Sequence, residues 1–174
     1  MSFLFALTLV HVLISLVAIV AGYVVMFGWL RHQLLERWTL IFLVTTIATS
    51  LTGFLFPFVQ FLPSHLFGII SLLILPLACV ARYKYHLAGH YRWLYTVSSV
   101  LALYLNVFVL IVQLFQKVPA LRALAPTQSE PPFAIAQGLN LVFFIWLGVA
   151  VTRKRNGPLP SSAAAPVEAG AKAV

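Results

Sequence analysis

The chain has 174 residues, of which 62% are hydrophobic and 8% charged, against about 25% charged in an ordinary soluble domain. A mean hydropathy of +1.02 excludes a water-soluble fold built round a single core, because the apolar runs match the length of a bilayer crossing. The net charge of +8 does not point to nucleic acid, since Lys and Arg fall in short segments between apolar runs and not on one water-facing surface.

The first apolar run, residues 3–30, would form a helix about 42 Å long, more than the hydrocarbon core of about 30 Å requires, so tilt or an emerging end is expected. It lacks a basic leader and a cleavage motif, and is read as a span rather than a removable signal. Residues 38–58 form the second, ending in an aromatic and proline-containing stretch. Residues 62–81 form the third, with a kink expected at Pro76. Residues 94–115 and 133–151 complete an all-α, integral membrane helical bundle of about five transmembrane helices. From 156 to 174 the sequence NGPLPSSAAAPVEAGAKAV has no apolar periodicity, as a disordered tail would.

Orientation follows from the basic residues, which are retained in cytoplasmic loops. Arg31, Arg37, Arg82, Lys84, Arg92, Arg153, Lys154, Arg155 and Lys172 gather at one set of helix ends, and only Lys117 and Arg122 at the other. This puts the N-terminus outside and the tail in the cytoplasm. Trp29, Trp38, Trp93 and Trp146 lie near the basic ends, where an amphipathic ring suits the headgroup region.

No Asp occurs, and Glu36, Glu130 and Glu168 all fall outside the apolar runs, which speaks against a carboxylate proton relay. Cys79 is the only cysteine, so an intramolecular disulfide and cysteine-rich zinc or iron–sulfur centres are excluded. GxxxxGK, HExxH and GxSxG are also absent.

The polar residues within the spans concentrate toward the outer half. His11, Ser15, Ala18 and Gly22 recur at helical spacing, as do Thr45, Thr49 and Gly53. Ser15, Thr49, Thr52, Asn106, Gln113 and Gln137, with the loop carboxylate Glu130, are candidates for an outward-facing polar pocket. The alternative is that small and amide side chains join helices to one another. Glu130 has a second expected role, a local ion pair with Arg122 or Lys117.

An ionisable residue inside a span is a functional candidate by default. His11 lies within the first span and His65 opens the third, and two imidazoles at matched depth can ligate a b-type haem between helices. His86 with His90, and His32 with Glu36, have a helical metal-ligand spacing. The basic residues around them suit a loop facing anionic lipid equally.

The segments TTIATSLTGFLFPF, LPSHLFGIISL and LALYLNVFVLIVQLFQKVPALRALAPTQSEPPF resemble a family of small uncharacterised bacterial membrane proteins, over about residues 8–140. The resemblance implies a bacterial inner-membrane location and assigns no catalytic residue. The expected function is a non-enzymatic membrane component whose polar pocket and proline-rich outer loops bind a partner protein, a lipid or a small molecule, with a membrane-protein partner or a second copy as the expected company in the bilayer. A haem protein using His11 and His65, and a small transporter or channel, are the alternatives.

Overall fold

The computed structural model describes residues 3–56 and 63–156, with side chains except at 63–65 and 155–156. The proline-containing segment 57–62, the side chain of His65 and the residues from 157 onward lie outside the described residues. Within them the chain forms six α-helices: α1 (Phe3–Leu30), α2 (Glu36–Gly53), α3 (Pro63–Cys79), α4 (His90–Lys117), the short α5 (Pro119–Leu124) and α6 (Pro131–Asn156). Helices suit lipid because each segment satisfies its own backbone hydrogen bonds.

Four stretches are long and apolar enough to cross a membrane: Phe3–Leu30, Leu66–Lys84, His90–Lys117 and Pro131–Lys154. The sequence led to about five spans, and the difference is α2. Its 18 residues reach about 27 Å and include Glu36, Arg37, Ser50 and a series of threonines. It also stops at Gly53, short of the expected Phe58. The amides of Phe54 and Leu55 bond back three residues to the carbonyls of Leu51 and Thr52, at 3.1 Å each, tightening the last turn ahead of Pro57, whose ring disfavours helix in the residue before it.

α1 and α2 form an antiparallel hairpin; α4 touches α1, α3, α5 and α6, and α6 also rests on α1. α1, α2 and α4 meet at Gly22, where an added methyl group would stand 2.5 Å from Leu103 Cδ1 and 3.0 Å from Phe42 Cε2. Glycine lets these three backbones approach, as small residues do in membrane bundles. Ala18, Ala21, Val25, Phe42 and Leu103 around it are fully buried. Leu73 and Leu139, by contrast, are each 67% exposed on the outer faces of α3 and α6, a surface that lipid would cover.

The helix ends at the basic side are closed by backbone geometry. His32 adopts φ 58°, its amide bonds to the Trp29 carbonyl at 3.1 Å, and the Gln33 amide bonds to the Gly28 carbonyl at 2.9 Å. This is a Schellman cap with histidine in the left-handed position. α3 continues past Pro76 into a wider turn over Val80–Lys84, where the Tyr85 amide reaches the Val80 carbonyl at 3.1 Å. That turn places Arg82 3.2 Å from Glu36 at the start of α2, with its guanidinium 5.6 Å from the Tyr95 ring centre.

Gly22→Val is expected to destabilise the bundle by about 1–3 kcal/mol through overpacking. Gly138→Ala, where nothing lies within 4 Å, should leave stability unchanged. Thermal unfolding of both variants in detergent checks the contrast.

Candidate functional site

The polar residues of the spans are largely engaged with one another or with backbone. Thr52 Oγ1 lies 2.7 Å from the Ala48 carbonyl and 2.8 Å from His11 Nδ1. The single hydroxyl proton goes to the carbonyl, so His11 donates from Nδ1 to Thr52, and Nε2 keeps the lone pair. The His11 ring also meets Phe56 edge-on at 5.3 Å, which locks the first turns of α1 to the end of α2.

Ser15, one turn further on, donates to its own helix at the His11 carbonyl, 2.6 Å. Asn106 Nδ2 of α4 reaches Thr46 Oγ1 of α2 at 3.3 Å, and Gln137 Nε2 of α6 reaches the Phe108 carbonyl of α4 at 3.2 Å. Each of the three bonds between helices, His11 to Thr52, Asn106 to Thr46 and Gln137 to Phe108, replaces a polar group facing hydrocarbon with a partner.

The seven pocket candidates therefore fall into separate groups. Thr52 meets His11 between α1 and α2, Ser15 stands one turn beyond His11 on α1, and Thr49 one turn before Thr52 on α2. Asn106 joins α4 to α2, Gln137 joins α6 to α4, Gln113 is exposed, and Glu130 belongs to the loop before α6. Buried atoms without a partner remain at Thr49 Oγ1, Ser99 Oγ, Gln137 Oε1 and Asn140 Nδ2. α1 and α3, the helices of His11 and His65, share no extended interface among the described residues, and α2 and α4 each touch both. No group of three or more His, Cys, Asp or Glu side chains converges on a metal-sized site among the described residues.

A different arrangement stands at the opposite end from the basic loops, in residues 118–130. Pro119 starts α5 one residue after α4 ends, since its fixed φ suits a first helical turn. Gln128, at φ 60°, turns the chain back and sends Nε2 to the Val112 carbonyl of α4 at 3.0 Å. Gln116 Nε2 lies 3.5 Å from Gln128 Oε1, and Phe115 meets Phe133 edge-on at 5.4 Å. Pro131 and Pro132 then open α6 with no amide proton to satisfy.

Glu130 fixes the turn. One carboxylate oxygen accepts from the Thr127 amide at 3.1 Å and the Thr127 hydroxyl at 2.9 Å, the other from the Ser129 amide at 3.1 Å. The expected pairing with Arg122 or Lys117 does not form, because these nearer donors use the carboxylate first. Partial desolvation pushes the Glu130 carboxyl up, but the Thr127, Ser129 and own-backbone hydrogen bonds outweigh it and hold the group below its ordinary value.

The tied-down loop leaves a depression of about 330 Å³ lined by Phe115, Gln116, Arg122, Pro126, Thr127 and Gln128. Sequence reasoning passed over Arg122 and Gln128 as site residues. The signal for Gln128 was the polar run TQSE between two proline-containing segments, too short to show that it folds back onto α4; Arg122, in VPALRAL, carried none beyond its charge.

Apolar length, helical architecture and lipid-type packing make this a multi-pass helical membrane protein with four candidate spans. Comparison with protein-family models, curated proteins and solved structures finds no match in any of the three. The resemblance to small bacterial membrane proteins thus gains no family to rest on.

Thr52→Val leaves the His11 Nδ1 proton without an acceptor and should cost about 1–3 kcal/mol, whereas Thr52→Ser should be nearly silent; thermal unfolding in detergent separates them. For Glu130 the lowered value means that the turn is stabilised when the carboxylate is ionised, and this is lost as pH falls through the folded value. Proteolysis within 125–130 should rise once the pH drops below the ordinary glutamate value of about 4.3, and Glu130→Gln should abolish that dependence.

Proposed function

We propose that this protein is a non-enzymatic component of a bacterial inner membrane, whose bundle is a scaffold and whose folded-back loop 118–130 is the binding surface. α2 is taken as a fifth crossing, since it runs back along α1 from the basic end and the chain continues into α3 from the opposite end. The basic residues then place the N-terminus outside and the C-terminus in the cytoplasm, with the loop facing outward.

The observation that carries the reading is the anchoring of the loop. Gln128 bonded to Val112, Glu130 bonded to Thr127 and Ser129, and Phe115 packed on Phe133 hold a concave surface in place before any ligand arrives. Preorganisation of this kind lowers the ordering cost of binding. The interior polar residues support the same reading, because His11, Asn106 and Gln137 are engaged in joining helices. A partner protein or a small polar molecule fits the surface.

The haem alternative draws on the unprotonated Nε2 of His11. It needs a second ligand on α3, with which α1 shares no extended interface among the described residues.

A thermal-shift screen of small polar compounds on the purified protein, alongside a reduced-minus-oxidised visible spectrum, tests the two. Loop binding predicts stabilising compounds whose effect is lost in Gln128→Ala and kept in His11→Ala, with a colourless preparation. A haem spectrum lost in His11→Ala, or no compound sensitive to Gln128, would contradict it.

A further inference from the structure

Charge and hydrogen-bonding capacity in the depression beside α5 are unbalanced. Arg122 is exposed and carries no carboxylate within ion-pair distance among the described residues; the Arg82–Glu36 ion pair stands at the other end of the bundle. Glu130, the nearest acid in sequence, is turned into the backbone amides of its own loop and into the Thr127 hydroxyl. Lys117, at the end of α4, adds a second positive charge close by in the chain.

Several donors around the depression are left open. Thr127 gives its hydroxyl proton to Glu130, and Gln128 Oε1 already receives Gln116 Nε2. The Gln116 and Gln128 amide groups each have two protons and use one in these contacts. The guanidinium of Arg122 offers a fork of N–H groups suited to two oxygens of one anion. Phe115, 7% exposed, and Pro126 supply apolar wall, and Phe115 stands in the last turns of α4, where the apolar run gives way to Lys117.

We infer that the depression lined by Arg122, Gln116 and Gln128 binds a phosphate group, held bidentately by Arg122 and by the spare amide protons of the two glutamines. This rests on the loop-end reading above and gives that surface a ligand class. At the level where α4 leaves its apolar stretch the phosphate has two sources, the headgroup of an anionic phospholipid or a free phosphate compound. Its chemistry at the site is the same in both cases.

The test uses the full chain in a neutral detergent, with apparent melting temperature read against inorganic phosphate, against short-chain phosphatidylglycerol, and against sodium chloride at matched ionic strength. Wild type is compared with Arg122→Gln, Arg122→Lys and, as a charge control at the other end, Arg153→Gln. Stabilisation by phosphate or by the lipid beyond that of chloride is expected, with apparent affinity reduced about tenfold or more in Arg122→Gln, less in Arg122→Lys, and unchanged in Arg153→Gln. A response to the lipid alone identifies a headgroup, and a response to inorganic phosphate identifies a soluble source. No stabilisation beyond chloride, or one that survives Arg122→Gln, overturns the inference. If that happens while Gln128-dependent compounds are still found, the binding surface stands and only its ligand class falls.

Discussion

Lipid offers no hydrogen bonds, and the arrangement of this bundle follows from that single constraint. Backbone groups are satisfied by helix formation, and several of the side chains that cannot be apolar bond across the seams between helices or back to their own helix. His11 donates to Thr52, Asn106 to Thr46, and Gln137 to the Phe108 carbonyl. These bonds work only if the helices stand close. Gly22, set against Leu103 and Phe42, lets α1, α2 and α4 do so.

The same demand explains features that look functional in isolation. His32 has the sequence spacing of a metal ligand toward Glu36, yet its backbone sits in the left-handed cap of α1. Glu36 is turned to Arg82 instead. The wide turn over Val80–Lys84 brings Arg82 to both Glu36 and the Tyr95 ring, so this one residue joins the end of α3 to α2 and α4.

Much of the architecture was legible in the sequence, because apolar length and helix formation in lipid are nearly the same statement. α2 was the uncertain element: its threonines lower its apolarity while still bonding to their own backbone carbonyls, as Thr45 does to Ile41. The polar candidates were legible as a set but not as a geometry. Spacing along one helix puts Asn106 and Gln113 on a common face, but only packing reveals that Asn106 meets Thr46 while Gln113 is exposed. The loop at 118–130 was legible as stiff, from its prolines. Its attachment to α4 runs through contacts distant in sequence, Gln128 to Val112 and Gln116 to Gln128, which no local pattern encodes.

The account separates an interior closed by helix packing from a loop end that meets ligand. Labelling of single cysteines by a membrane-impermeant thiol reagent tests that division, in a Cys79→Ser background with cysteine placed in turn at Ser15, Thr49, Asn106, Arg122 and Gln128. The account predicts rapid labelling at 122 and 128 and none at 15, 49 and 106. Labelling of the three interior positions would reveal water among the helices, and would contradict the assignment of these residues to packing.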